Sequence, residues 1–283
     1  MLTITRAADL HAWVADMQRS GRRIGLVPTM GNLHAGHYSL VDAARANADV
    51  VAASIFVNPT QFGPGEDFDR YPRTPGADAE GLAARGCDLL FLPAVEDIYP
   101  YGAAGTVRVC VPELGGLLEG AMRPGHFDGV ATVVAKLFNL VRPDAAAFGQ
   151  KDYQQLLVVR RMARDLGYPV RIICAPIVRE ANGLAMSSRN QYLDAAQRAR
   201  AGAIHACLQW MCEQVRNGSL AFAAIEDGAR EQLERTGLGV DYVVIRRAAD
   251  LGPATRERDR RLVALVAARM GATRLIDNFL MDA

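Results

Sequence analysis

The chain has 283 residues, half of them hydrophobic and 22% charged, with 32 basic residues against 31 acidic ones and a net charge of +1. That balance excludes a disordered tail, a collagen-like fibre and a small disulfide scaffold, and it lacks the basic excess on which non-specific nucleic-acid binding relies. A chain of this length buries about three-quarters of its unfolded surface, so one large domain and two modest ones are both open.

The five cysteines, Cys87, Cys110, Cys174, Cys207 and Cys212, are scattered, odd in number and form no C-x-x-C pair. Free thiols in a reducing compartment are the expectation. No signal-peptide pattern opens the chain, and no apolar run approaches the roughly 18 residues needed to span a bilayer. The reading is a cytoplasmic protein with no membrane or nucleic-acid partner.

Short apolar runs alternate with helical patterns over the first 175 or so residues. In chain order the pattern predicts a strand at 24–27, a helix at 37–48, a strand at 50–57, a helix at 77–85 and a strand at 88–92. A strong helix at 128–141, a strand at 145–148, a helix at 153–166 and a strand at 170–174 follow. Strands separated by helices of this length imply βαβ units in a mostly parallel, Rossmann-like sheet with helices on both faces. After Pro176 the pattern changes to helices at 195–215 and 222–235, then strand-like runs at 241–246, 261–267 and 274–279. That order suggests a smaller α+β domain with an antiparallel sheet. The expected division is 1–176 and 177–283. The mixed-charge segment 256–261 reads as a solvated hairpin turn.

Parallel sheets bind ligands beyond the carboxyl ends of their strands, so chemistry is sought just after Val27, Val57, Phe148 and Cys174. After the first predicted strand comes Pro28-Thr29-Met30-Gly31-Asn32-Leu33-His34-Ala35-Gly36-His37. Gly31 can turn the chain sharply and Gly36 lets a ligand approach the backbone, where the helix start favours an anion. Two imidazoles three residues apart can donate to one polyphosphate. A tight βα turn with incidental histidines and a metal-binding His pair are the alternatives.

Three further segments carry polar groups at comparable places. Asn58 and Gln61, in Phe56-Val57-Asn58-Pro59-Thr60-Gln61-Phe62, offer neutral donors and acceptors for hydroxyls, carboxylates and amides; the alternative is an Asn-Pro turn. In Phe148-Gly149-Gln150-Lys151-Asp152-Tyr153-Gln154-Gln155, Lys151 is a point charge for phosphate and Asp152 a candidate helix N-cap. Gln155 lies one turn further in. In Met186-Ser187-Ser188-Arg189-Asn190, two hydroxyls and a guanidinium suit a triphosphate; the alternative is a Ser-rich loop capping the next helix. Lys136 reads as a surface lysine, and His11 and His205 as histidines without a role. The P-loop, the dinucleotide fingerprint, H-E-x-x-H and G-x-S-x-G are all missing.

These four segments, in this order, resemble the pantoate–β-alanine ligase family over nearly the whole chain. PTMGNLHAGH is similar to the HIGH signature of adenylate-forming nucleotidyltransferases, and MSSRN to the KMSKS loop of class I aminoacyl-tRNA synthetases. FVNPTQF, KDYQQL and RPGHFDGV at 123–130 also match family segments. Gln150 stands where the family is expected to carry Glu, and Ala35 where an acidic residue is common. The resemblance implies ATP-dependent condensation of pantoate with β-alanine through a pantoyl adenylate, releasing pyrophosphate and then AMP. It implies His37, His34 and Lys151 as catalytic residues. For ATP it implies Met30, Gly31, Asn32, Leu33, His34, Ala35, Gly36, His37, Gly149, Gln150, Lys151, Asp152, Val178, Met186, Ser187, Ser188 and Arg189. Gln61 and Gln155 would hold pantoate, and Gln61 also β-alanine. Mg²⁺ would accompany ATP with unknown protein ligands, and the chain would form a homodimer. A synthetase-like enzyme with another acceptor and a non-enzymatic nucleotide-binding module are the competing readings.

Overall fold

In the computed structural model, which describes residues 1–282, the chain divides into two units. One comprises Met1–Gly149 with Gln154–Ala175; the other comprises Gln150–Tyr153 with Pro176–Ala283. The short segment carrying Lys151 therefore groups with the second unit, although it lies between two elements of the first.

The first unit opens with β1 (Leu2–Ile4) and α1 (Ala7–Arg19), which periodicity does not reveal. The strand is only three residues long, and α1 buries just Leu10 and Val14. Then follow β2 (Ile24–Thr29), α2 (Ala35–Arg45), β3 (Val50–Ile55), α3 (Pro75–Ala84), β4 (Leu89–Phe91) and the short α4 (Val95–Ile98). The short α5 (Leu118–Met122), then α6 (His126–Val141), β5 (Ala145–Gly149), α7 (Tyr153–Asp165) and β6 (Arg171–Ala175) complete it. The expected elements are present with shifted ends. Helix α2 starts two residues earlier than expected because His34, not a residue further on, caps it.

All six strands are parallel, in the order β1-β4-β3-β2-β5-β6. Residues 50–54 of β3 are buried without alternation, so both faces of the sheet are covered there. Val27, Val41, Ala44, Val51, Ala53, Leu82 and Leu90 form one of its cores. The chain runs from β2 outward to β3 on one side and to β5 on the other. The order reverses between β2 and β5, the position where an open α/β sheet leaves a crevice beyond its strand ends.

The second unit contains α8 (Ala195–Ala201), α9 (Ala203–Asn217), α10 (Phe222–Arg235), β7 (Gly239–Arg247), β8 (Arg261–Met270) and β9 (Thr273–Asp282). The single helix expected at 195–215 is broken at Gly202, against which the Asn182 carbonyl packs. The Asp194 carboxylate caps α8 by accepting from the Gln197 N–H at 2.8 Å. The three strands form an antiparallel sheet, β7-β8-β9. Leu208, Met211, Ile225 and Leu233 of the helices pack on Val243, Leu262, Ala264 and Val266 of the strands. Segment 256–261 joins β7 to β8 as expected, but Arg256 is pinned rather than fully solvated. Its guanidinium donates to the Val215 and Leu220 carbonyls and lies 5.0 Å from the Phe222 ring centre.

Candidate active site

Beyond β2 the chain turns at Gly31, whose φ of +87° is open to glycine but strained for other residues. The buried Asp78 carboxylate of α3 holds the next two residues, accepting from the Asn32 N–H at 2.9 Å and the Leu33 N–H at 2.8 Å. His34 then caps α2. Its Nδ1 accepts from the Gly36 N–H at 3.1 Å, while His37 Nδ1 accepts from the His34 N–H at 3.3 Å. The ring centroids are 4.1 Å apart.

These two bonds decide the tautomers. A ring nitrogen that accepts from a backbone N–H carries no proton, so a neutral imidazole keeps its hydrogen on Nε2. His34 and His37 thus become two Nε2–H donors side by side at a helix N-terminus, where backbone N–H groups and the helix dipole already favour an anion. A metal pair finds no support, because the described residues contain no group of three or more His, Cys, Asp or Glu able to hold an ion.

Gln61 ends the single 3-10 turn Pro59–Gln61 after β3 and is 8% exposed. Asn58 is more deeply buried and caps this turn, the Asn-Pro turn that is the alternative reading for it. Its Oδ1 accepts from the Tyr99 hydroxyl at 2.7 Å and from Thr60; its Nδ2 donates to Gln61 Oε1 at 3.0 Å and the Gly129 carbonyl at 3.1 Å. Gln61 Nε2 in turn lies 3.0 Å from the Met30 sulfur, a weak acceptor.

The segment 123–130, matched by resemblance but given no role, turns out to build the seat for Gln61. A Cβ on Gly129 would lie 2.3 Å from the Thr60 carbonyl oxygen, so only glycine lets α6 approach this turn backbone to backbone. His126 Nδ1–H donates to the Gln61 carbonyl at 2.8 Å, and Arg123 Nη1 donates to His126 Nε2 at 3.1 Å. Arg123 is itself held by Glu66, with Nε to Oε1 at 2.8 Å. Burial, and then the Arg123 charge, push the His126 pKa down to about 4.

Unfolded His126 takes a proton near 6.5 and the folded ring resists until about 4, so the unfolded state binds more protons in that window. Stability is complete above pH 6.5 and falls as pH drops toward 4, by on the order of 3 kcal/mol. Urea denaturation at pH 7, 6 and 5 should show this slope, and His126→Gln should flatten it. Parallel slopes for both proteins would refute the assignment.

Gln155, half-buried, lies in the first turn of α7. Its neighbour Gln154 is buried and structural, donating to the Leu114 and Leu117 carbonyls at 2.7 and 2.8 Å.

In the second unit, Gln150, Lys151 and Asp152 form one 3-10 turn directly before α7. Lys151 Nζ lies 3.3 Å from Asp152 Oδ1. Val178 accepts from the Met186 N–H at 2.9 Å, closing a hairpin that leads into Ser187, Ser188 and Arg189. Ser187 caps a short 3-10 turn through the Arg189 N–H, at 3.3 Å, and not the later helix. Lys136 is not a freely solvated lysine: its ammonium stands 5.3 Å from the Tyr99 ring centre. His205 is partly buried and has a buried Nδ1 with no partner. All five cysteines are free; burial pushes Cys87 up to about 11 and Cys207 to about 12, which leaves both unreactive.

A parallel α/β sheet with a histidine pair capping the helix after β2, and four polar segments in the order that resembles one ligase family, mark the class of ATP-dependent ligases. The pantoate-beta-alanine ligase family model matches residues 2–280, and the chain belongs to that family of enzymes. It is 55% identical over 282 residues to pantothenate synthetase of Pseudomonas fluorescens, covering 100% of this chain and 98% of that one. It is 57% identical over 277 residues to the Xylella fastidiosa enzyme of the same name, covering 98% of each. The crystal structure of pantothenate synthetase from Thermus thermophilus superposes with a TM-score of 0.91 at 47% identity, covering 99% of both chains. The Francisella tularensis pantoate-beta-alanine ligase, solved in complex with beta-gamma ATP and beta-alanine, gives 0.82 at 33% identity, covering 99% of this chain and 97% of that one.

Proposed function

We propose that the chain condenses pantoate with β-alanine at the expense of ATP, and that the pair of Nε2–H donors on His34 and His37 carries the first step. A pantoate carboxylate oxygen attacks the α-phosphorus of ATP, the bond to the bridging oxygen breaks, and pyrophosphate leaves. The β-alanine amine then attacks the acyl carbon of pantoyl adenylate, loses a proton, and AMP leaves. The demanding feature of the first step is negative charge gathering on the departing pyrophosphate. Pre-oriented neutral donors at a helix N-terminus stabilise that charge without reorganising. We assign His37 as the hydrogen-bond donor, with His34 beside it.

The remaining assignments follow the resemblance to the family. Lys151, Ser187, Ser188 and Arg189 serve the phosphates; Met30 to Gly36, Gly149, Gln150, Asp152 and Val178 serve the rest of ATP. Gln61 and Gln155 hold pantoate, and Gln61 also reaches β-alanine. A Gln61 amide N–H orients a carboxylate without the ion pair that would blunt its nucleophilicity. Among the described residues no cluster of three or more metal-binding side chains exists. Mg²⁺, if bound with ATP, would supply charge neutralisation on the phosphates.

The deciding experiment measures AMP release from ATP. Release that requires both pantoate and β-alanine supports the reading. Release driven by a different acid would favour another acceptor, and nucleotide binding without AMP would point to a non-enzymatic module. We further infer a homodimer, on resemblance alone, which sedimentation equilibrium at micromolar concentration checks; a monomer would refute it. No helix among the described residues is long and apolar enough to cross a membrane, and a cytoplasmic location is the reading we adopt.

A further inference from the structure

Asp277 and Asn278 are consecutive residues of β9, and they are 4% and 1% exposed. Neighbouring strand residues project to opposite faces, so a buried polar pair needs partners on both sides. Asp277 finds them in Arg179, whose Nη1 and Nη2 donate to its two oxygens at 2.6 and 3.0 Å. Arg179 also donates to the Gly183 carbonyl at 3.0 Å and pairs across an antiparallel bridge with Ala185. Asp277 thereby ties down the hairpin that runs into Ser187, Ser188 and Arg189. Its Oδ1 also accepts from the Asn278 N–H at 2.8 Å.

Asn278 faces the turn that carries Lys151. Its Nδ2 donates to the Gln150 and Lys151 carbonyls, both at 2.9 Å, and its Oδ1 accepts from Gln150 Nε2 at 3.2 Å. The two carbonyls it holds belong to the peptide planes on either side of Lys151. Fixing both planes fixes the direction in which the Lys151 side chain leaves the backbone. A four-carbon stem magnifies any rotation there into a larger displacement of Nζ. A side chain needed only for packing could be apolar; one nitrogen delivering two N–H bonds and an adjacent acceptor is specific to a primary amide.

We propose that Asn278 is a positioning residue for adenylation, acting through the backbone of Lys151, while Asp277 beside it holds the hairpin of the serine-arginine segment. The inference rests on the role given to Lys151 above. Misplacing a participating group by about 1 Å costs on the order of a hundredfold in rate, so Asn278→Ala is expected to slow single-turnover formation of the adenylate at least about tenfold.

A double-mutant cycle with Lys151→Ala tests the inference in the full-length enzyme. If Asn278 acts through Lys151, Asn278→Ala should change the rate less than about twofold once Lys151 is Ala. Where Asn278→Ala does not fold, Asn278→Ser, which keeps a smaller polar side chain in the strand, takes its place in the same cycle. Equal rate losses in both backgrounds, or an unchanged rate in the parent background, would overturn the proposal. A Lys151→Ala enzyme as fast as the parent would instead overturn the role of Lys151 itself, and this inference with it.

Discussion

Replacing His37 by Ala is expected to lower adenylate formation by about a hundredfold or more, the usual cost of removing a donor to developing charge, with the fold retained. The ring does two things. Nδ1 accepts the His34 N–H and so closes the N-terminus of α2, while the hydrogen left on Nε2 serves the departing pyrophosphate. Losing the cap alone costs about 1 kcal/mol, too little to unfold a chain with this much buried core. His37→Gln separates the two roles. Glutamine at the third helical position can still reach back to the cap residue's N–H, so its melting temperature should stay near that of the parent while adenylation stays slow. Pulse-quench measurement of pyrophosphate release reads the effect. Near-normal release from His37→Ala would sink the assignment, and recovery in His37→Gln would reduce the histidine to a cap.

Much of this arrangement was legible in the residues. The strand-helix alternation of residues 24–174 predicts βαβ units because buried parallel strands are short apolar runs and the helices between them show a longer period. The switch from helices to strands after Pro176 is equally plain. Elements whose burial rests on few residues were not legible: β1 is three residues long, and α1 meets the core through Leu10 and Val14. At Gly202, where α8 gives way to α9, the close approach of the Asn182 carbonyl lies outside any local pattern.

The same division applies to the site. His34 and His37 announce themselves because spacing, a glycine turn and a strand end coincide. Asn58 looked like a ligand group because its type suits one; only the three-dimensional network reveals that Tyr99, Thr60, Gln61 and Gly129 engage it. Arg123 and His126 lie more than 60 positions from Gln61, so their support of it could not be read from spacing. The RPGHFDGV match was the available signal, and it marked the place without saying what it does. The same holds for Asn278, 127 positions from the Lys151 carbonyl it holds.

Lys151→Arg is expected to lose most of the adenylation activity, about tenfold or more, or roughly 1.4 kcal/mol of transition-state stabilisation. The chain has 30 arginines and only two lysines, Lys136 and Lys151. Arginine carries almost all of its positive charge, and it is the phosphate-facing role proposed for this turn, not the scarcity of lysine, that points to a requirement for a compact ammonium. Lys151 lies with its Nζ 3.3 Å from Asp152 and its side chain 20% exposed, on a turn whose carbonyls Asn278 fixes. A planar guanidinium is larger and locked in its fork, whereas an ammonium can pass between ground-state and transition-state phosphate oxygens. Lys136 supplies the contrast. Its ammonium lies over the Tyr99 ring, a contact that a guanidinium makes equally well by stacking, so Lys136→Arg should leave the rate within about twofold of the parent. Single-turnover formation of pantoyl adenylate compares the two variants directly. If Lys151→Arg keeps the parental rate, charge alone suffices at this position and the argument from ammonium geometry fails.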